Sequence, residues 1–207
     1  MGALGEATGR KSDHRQTPQR KVGACNETTH DQRLAGGLDI IGGKTEGTAD
    51  HEMNRAIEAK AEMLIRRPAA EVFEAFVNPE ITTKFWFTKS SGRLEAGKEV
   101  TWEWEMYGAS TKVKVPGIEK NRRISIEWSG YGGPETVGWS FAPYQKDGTY
   151  VTITNSGFTG DDDEVVRQAL DSKGGFTWVL ASLKALLEFN VRLNLTADAH
   201  PVGLSES

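Results

Sequence analysis

Near the C-terminus the chain reads Gly174-Gly175-Phe176-Thr177-Trp178-Val179-Leu180-Ala181-Ser182-Leu183-Lys184-Ala185-Leu186-Leu187-Glu188-Phe189-Asn190. Apolar residues recur there at the i, i+3, i+4, i+7 spacing of one helical face, from Phe176 to Leu187, with Asn190 as the polar member of the series. This spacing predicts a long amphipathic helix. Burial of its apolar face contributes ~10 kcal/mol or more before conformational entropy is counted. The rest of the chain must therefore supply a surface that covers this helix.

The composition limits which classes of protein and which kinds of partner are expected. Of the 207 residues, 37% are hydrophobic, which is a low share for a chain that is folded throughout. A net charge of −4 gives no electrostatic reason to expect nucleic acid or an anionic membrane as a partner. No apolar run in the sequence is long enough to span a bilayer. Cys25 is the single cysteine, so no internal disulfide is expected, and a reducing cytoplasm is the predicted location.

The two ends of the chain differ from its middle. Residues 1–54 have no periodic pattern, and their one apolar cluster is Leu38-Asp39-Ile40-Ile41, so they are predicted to form a disordered N-terminal tail. A weak targeting peptide in the first part of this tail is the alternative. The folded domain is predicted over residues 55–195, and residues 196–207 are predicted to form a flexible C-terminal tail.

Within the predicted domain the apolar pattern changes from strand to helix and then to a series of strands. Residues 57–65 alternate apolar and charged, and Pro68 and Pro79 each stand at the start of a short helical pattern. From Ser90 to Phe158 the apolar period is two, with recurring Gly and Pro at the hairpin turns. This order predicts an α+β fold in which the long helix lies across a curved antiparallel sheet of about six strands.

Three local features add detail to this prediction. The acidic run Asp161-Asp162-Asp163-Glu164 is expected to be a solvated helix N-terminus rather than a cation site. The helix that it begins is expected to break at Gly174-Gly175 and to restart as the long helix. Pro116-Gly117 is expected to mark a bulge or the weak end of a strand.

The residue types present restrict the possible chemistry. Residues 55–195 contain no histidine and no cysteine, which removes thiol nucleophiles, imidazole bases and the usual transition-metal ligands. No catalytic residue, metal or cofactor is therefore predicted, and binding is expected in preference to catalysis. Glu103, Glu105 and Glu127 alternate with the tryptophans, so they are expected on the exposed face in cross-strand pairs with basic side chains.

All six tryptophans lie in the predicted domain, and four of them project from the strand face that meets the helix. Two interpretations compete. The indoles either fill the core, or they surround an apolar cavity in which a few indole N–H groups orient a ligand. The side chains predicted to line such a cavity are Trp86, Trp102, Trp104, Met106, Val113, Val115, Trp128, Trp139, Phe141, Phe176, Leu180 and Leu183.

Short motifs that occur in a fixed order add a family resemblance. They are Arg67-Pro68-Ala69-Ala70-Glu71-Val72-Phe73-Glu74-Ala75-Phe76, Asn78-Pro79-Glu80, Lys84-Phe85-Trp86, Asn155-Ser156-Gly157-Phe158 and Gly175-Phe176-Thr177-Trp178-Val179-Leu180-Ala181-Ser182-Leu183-Lys184. Together they resemble the Hsp90 ATPase activator homologue (AHSA1-like) family of the START-like, or SRPBCC, superfamily. The resemblance implies a helix-grip fold of about six or seven strands wrapped round a long C-terminal helix, a hydrophobic cavity between sheet and helix, and a link to stress response. The family often has His at the position of Asn155 and Trp at that of Phe176, so any role of that imidazole is not carried over.

The predicted function is the binding of a hydrophobic or aromatic small molecule between the sheet and the helix. One alternative is a co-chaperone-type protein-interaction module that contacts a chaperone. Another is a polyketide cyclase or dehydratase-like enzyme that works through its shape and a carboxylate or a tyrosine. A position of Glu105, Tyr107 or Tyr144 inside the cavity favours this enzyme. The protein is expected to be a monomer or a homodimer, with no nucleic-acid or membrane partner.

Overall fold

The computed structural model describes residues 57–131 and 133–201. Its strands and helices, in chain order, are β1 (Ala59–Ile65), α1 (Ala69–Val77), α2 (Pro79–Thr82), β2 (Lys89–Ser90), β3 (Glu99–Trp104), a 3-10 turn (Glu105–Tyr107), β4 (Ala109–Glu119), β5 (Arg123–Ser129), β6 (Pro134–Tyr144), β7 (Gly148–Ser156), α3 (Asp162–Phe189) and α4 (Leu195–Ala199). The strands form one antiparallel sheet in the order β1-β7-β6-β5-β4-β3-β2. The predicted N-terminal tail, with Cys25, lies outside the described residues.

Alternation along the strands buries one face of the sheet. Val137, Trp139 and Phe141 of β6 are all buried, and Trp139 stands beside Ile153 of β7 in the register. The alternate positions, such as Lys112 on β4, are exposed. The buried face of this curved sheet packs against α3, which confirms the predicted α+β helix-grip fold.

The two short helices cover the same face of the sheet. Pro68 precedes α1, and the ring of Phe73 meets that of Phe141 edge-on with centroids 5.5 Å apart. Asn78 ends α1 and begins α2, because its side chain accepts a hydrogen bond from the backbone N–H of Glu80 at 3.1 Å. Trp86, in the chain after α2, is buried in the same core.

Helix α3 is continuous from Asp162 to Phe189, so the predicted break at Gly174-Gly175 is wrong. A glycine inside a helix costs only about 1 kcal/mol relative to alanine, and the burial of neighbours such as Phe176 outweighs this cost. The expected acidic N-terminus is confirmed, since the Asp161 carboxylate accepts the backbone N–H of Glu164 at 2.9 Å. Asn190, expected on the apolar face, is instead the left-handed residue that ends the helix.

Polar contacts join the end of α3 to the end of β1. Lys184 Nζ donates to the backbone carbonyl of Leu64 at 2.8 Å and to Glu188 Oε1 at 2.5 Å, while the backbone N–H of Arg66 donates to the same Glu188 oxygen at 2.7 Å. These bonds hold the helix along the edge of the sheet. In the described part of the chain, none of the helices is both long and apolar enough to cross a membrane.

Two irregular points shape the strands around the pocket. The β4–β5 register shifts between Lys114 and Gly117, which confirms the bulge predicted at Pro116-Gly117. Strand β3 ends at Trp104, and the 3-10 turn rotates the chain, so that Met106 does not continue the strand face as predicted. Tyr107, the last residue of this turn, lines the pocket between the sheet and α3.

Candidate functional site: a pocket between the sheet and helix α3

A pocket of about 160 Å³ lies between the sheet, the middle of α3 and the short helix α4. Its wall combines the ends of β3 and β5, the chain after α2, and the helical turn that contains Gly175. The residues that line it are Trp86, Trp104, Tyr107, Trp128, Tyr131, Asn155, Asp171, Ser172, Gly175, Phe176, Trp178, Val179, Thr196 and His200.

Aromatic rings form the apolar wall of this pocket. Trp86 stands near the centre, with its ring centroid 5.8 Å from that of Phe176 and 6.3 Å from that of Trp128. Trp128 and Phe176 are stacked, with centroids 6.2 Å apart and planes 27° apart. Four predicted lining residues thus reach the pocket: Trp86, Trp104, Trp128 and Phe176.

The other predicted lining residues are not in the pocket wall. Trp102, Val113, Val115, Trp139, Phe141, Leu180 and Leu183 are buried in the core. Trp102 shows the reason, because Phe87 stacks on it with centroids 4.5 Å apart and Trp86 meets its edge at 4.9 Å. Met106 is half-buried in the 3-10 turn. Some of the predicted aromatic residues therefore fill the core, and the others border the pocket.

A buried polar cluster consists of Asn155 and Ser172, which line the pocket, and Glu135, which is hydrogen-bonded to Asn155. Asn155 Nδ2 donates to Glu135 Oε2 at 2.8 Å and to Ser172 Oγ at 3.0 Å. The second carboxylate oxygen of Glu135 accepts the backbone N–H of Tyr131 at 2.7 Å. All three side chains are at most 5% exposed, so water competes little for these bonds.

Tyr131 and Asp171 lie next to this polar cluster. The Tyr131 hydroxyl donates to Asp171 Oδ2, and both residues line the pocket. Burial is the largest cause that raises the pKa of Tyr131, followed by the hydrogen bond to Asp171 and the negative charges of Asp171 and Glu135. Tyr131 is therefore a protonated hydroxyl at neutral pH.

Residues of the C-terminal segment, Thr196 and His200, line another part of the pocket. The Tyr107 hydroxyl donates to the backbone carbonyl of Thr196, and the His200 ring lies 5.8 Å from Trp178. Burial raises the pKa of Tyr107, and the charge of Asp198 raises it further. Residues 195–199, most of which were assigned to a flexible tail, form α4 in the structure.

The carboxylates singled out in the sequence lie elsewhere. Glu105 is exposed and pairs with Lys89 Nζ at 2.6 Å, while Glu127 stands opposite Lys114 in the sheet register. Lys89 reaches Glu105 because β2, the strand that contains Lys89, pairs with β3 in the sheet. Tyr144, at 45% exposure, does not line the pocket either.

The inward position of Glu135 was not predicted, although the strand pattern of β6 indicates it. Glu135 continues the buried series of Val137, Trp139 and Phe141 at a period of two. Asn155 in the same way continues the buried series of β7. Extending the strand pattern to polar residues would have placed both on the inner face.

Comparisons with known proteins agree with this architecture. The family model described as "Activator of Hsp90 ATPase homolog 1-like protein" matches residues 66–188. The chain belongs to this family. A crystal structure of a Staphylococcus saprophyticus protein is 33% identical, with a TM-score of 0.58 over 67% of this chain and 96% of that one. No curated protein matches the chain.

More distant solved structures share the fold of this AHSA1-like protein. The Aha1 dimer from Colwellia psychrerythraea, a solution structure, is 17% identical, with a TM-score of 0.55 over 64% of this chain and 97% of that one. DynU16, a protein in the dynemicin biosynthetic locus, is 21% identical, with a TM-score of 0.58 over 66% of this chain and 50% of that one. At these identities the likeness concerns the fold alone.

Proposed function

We propose that this AHSA1-like protein binds a hydrophobic or aromatic small molecule in the pocket between the sheet and helix α3. The observation that carries the proposal is the pocket itself, which is lined by the rings of Trp86, Trp128 and Phe176 together with the buried polar side chains of Asn155 and Ser172. Apolar walls with a few placed polar groups are typical of small-molecule sites. A cytoplasmic location is part of this proposal, as the single cysteine of the sequence suggests.

Tryptophan emission and thermal unfolding test this function together. The four indoles that line the pocket report a bound molecule directly, and a ligand present at about 100 times its Kd stabilises the fold by about 2.7 kcal/mol. We expect at least one member of a panel of lipids, flavonoids and polyketides to shift both the emission and the Tm. A panel that changes neither would contradict the proposal.

Two neighbouring glycines offer a matched pair of variants. A Cβ atom at Gly175, which lines the pocket, meets no atom within 4 Å, so leucine there extends into the open space. Gly174 has the same freedom but does not line the pocket. We expect Gly175→Leu to abolish the ligand-induced shifts and Gly174→Leu to retain them. Equal loss in both variants would mean that the ligand binds elsewhere.

A cyclase-like or dehydratase-like activity is the second candidate, and the position of Tyr107 supports it. Tyr107 and Tyr131 both line the pocket, and Tyr131 is hydrogen-bonded to the Asp171 carboxylate. A buried phenol that stays protonated can donate a hydrogen bond to a carbonyl oxygen, provided that the substrate carbonyl displaces the present acceptor, Asp171 for Tyr131 or the Thr196 carbonyl for Tyr107. Turnover of a poly-β-ketone that Tyr131→Phe reduces, while binding is kept, would favour catalysis over binding alone.

The co-chaperone alternative has its support in the family description and in the Aha1 fold. A chaperone partner and a dimer both belong to this alternative. An Hsp90 pull-down together with a measurement of Hsp90 ATPase activity separates it from small-molecule binding, because only the co-chaperone raises that activity.

A further inference from the structure

The orientation of the Asn155 amide is determined by its buried neighbours. Asn155 is 1% exposed and lines the pocket. Its Nδ2 group donates to Glu135 Oε2 at 2.8 Å and to Ser172 Oγ at 3.0 Å. A carboxylate only accepts hydrogen bonds, so a rotated amide would set Asn155 Oδ1 against a Glu135 oxygen. Oδ1 is therefore the end of the amide that is left for another donor.

No group among residues 57–131 and 133–201 donates to this Oδ1 atom, although the atom is buried. A buried acceptor without a donor is unfavourable, since it has lost water and gained nothing in exchange. Two more polar atoms of lining residues, Trp128 Nε1 and Thr196 Oγ1, are also buried without a hydrogen-bond partner. The unpaired acceptor of Asn155 and the unpaired indole N–H of Trp128 thus belong to side chains of the pocket wall.

Resting on the proposed function, we infer that the ligand is a small aromatic ring with a hydroxyl or N–H group that donates to Asn155 Oδ1. The volume of about 160 Å³ suits one ring, because an engineered apolar cavity of about 150 Å³ binds benzene. The rings of Trp86, Trp128 and Phe176 supply the apolar contacts of such a ligand. Among ring compounds of similar size, those that carry such a donor should therefore bind more tightly than those that lack it.

A matched pair of compounds tests this inference on the full chain. In 4-ethylphenol the ring carries an O–H donor, and in 4-ethylanisole a methyl ether replaces it. The ether is the more apolar compound, so burial alone favours the ether. We expect the phenol to bind about tenfold more tightly, as one added hydrogen bond to a buried acceptor allows, when both Kd values are measured by calorimetry.

Two variants connect the preference to Asn155. Asn155→Leu keeps a similar volume and removes the acceptor, so the preference for the phenol should disappear or reverse in favour of the ether. Ser182→Ala is the control, because Ser182 Oγ is also buried without a partner but does not line the pocket. We expect Ser182→Ala to keep the preference for the phenol. A preference that survives in Asn155→Leu would overturn the inference.

The native protein alone already decides the question if Asn155→Leu does not fold. Equal binding of the phenol and the ether by the native chain would overturn the inference and leave the proposed function standing. Binding of neither compound, in a protein whose pocket also accepts no member of the wider panel, would overturn both.

Discussion

A buried carboxylate without a basic partner is the most unusual residue of the pocket region. Glu135 is 2% exposed, and its two oxygens accept the backbone N–H of Tyr131 and the side-chain amide of Asn155. No salt bridge to Glu135 forms within residues 57–131 and 133–201. Hydrogen bonds alone therefore offset the free-energy cost of burying this carboxylate. They also orient the Asn155 amide.

Replacing this carboxylate by an amide should destabilise the fold. In Glu135→Gln, one oxygen becomes an NH₂ group that faces the Tyr131 N–H or Asn155 Nδ2, and a rotation of the Asn155 amide that relieves this contact would leave Nδ2 buried where no acceptor reaches it. We expect the free energy of unfolding to fall by about 1–3 kcal/mol, as for other buried groups that lose their partner. Urea unfolding at neutral pH measures the change.

The exposed Glu127 on β5 is the matched control for this substitution. Glu127→Gln makes the same chemical change on the outer face, so its effect should stay within about 0.5 kcal/mol. Equal effects of the two substitutions would show that the hydrogen bonds of Glu135 contribute little.

At the scale of elements, α3 combines two roles in one uninterrupted helix. The turn with Gly174 and Gly175 lies beside the pocket, and the following turns bury Val179, Leu180 and Leu183 in the core. The two glycines lower helix propensity without breaking the helix, and Gly175 leaves room at the pocket. Packing of the buried turns therefore sets the length of this element.

Alanine at Gly174 should stabilise this helix. The added Cβ meets no atom within 4 Å, and the backbone there is already helical. We expect Gly174→Ala to raise the free energy of unfolding by about 0.4–1 kcal/mol and to leave ligand binding unchanged. Thermal unfolding measures the gain.

Gly157 is the matched position at which the same substitution should be harmful. Its φ of +100° is unfavourable for an L side chain, and a Cβ there lies 2.8 Å from the Pro134 carbonyl oxygen. Gly157→Ala should therefore lower the Tm. A gain at Gly157, or a loss at Gly174, would contradict this account of the two positions.

For the whole molecule, the contact between the end of α3 and the end of β1 joins segments that are 122 residues apart in the chain. Burial would raise the pKa of Glu188, but the hydrogen bonds from Lys184 and from the Arg66 N–H outweigh it, so that the pKa lies below its usual range. The charged form of Glu188 therefore binds its partners more strongly in the folded state than in the unfolded one.

This lowered pKa predicts a pH dependence with a definite sign. The contribution of Glu188 is fully present above the ordinary carboxyl pKa of about 4.3 and is lost as the pH falls through the lowered folded-state value. Glu188→Gln should thus cost ~2 kcal/mol of unfolding free energy at pH 7. The difference between the native protein and this variant should shrink as the pH falls below the ordinary carboxyl pKa and through the lowered folded-state pKa of Glu188.

Urea unfolding of both proteins at several pH values checks this expectation. The exposed pair of Lys98 and Glu95 supplies the control, because Glu95→Gln should change stability little at any pH. A Glu188→Gln difference that stays constant from neutral to acid pH would contradict the assigned role of this carboxylate.

The sequence by itself determined the sheet, its buried face and the helices that cover it. Period-two alternation in β6 and β7 identifies inward residues without reference to any neighbour, and the i, i+3, i+4 series does the same for α3. The bulge at Pro116-Gly117 and the acidic start of α3 are equally local, since backbone geometry and capping cause them.

Only the tertiary structure decided which inward side chains border a pocket. Trp102 and Trp128 have the same sequence signature, yet Trp102 is enclosed by Phe87 and Trp86 whereas Trp128 faces open space. The pairing of Glu135 with Asn155 likewise depends on the β6–β7 register and on α3. Periodicity assigns a side chain to a face, but the space beside it depends on the volumes of residues that are distant in the chain.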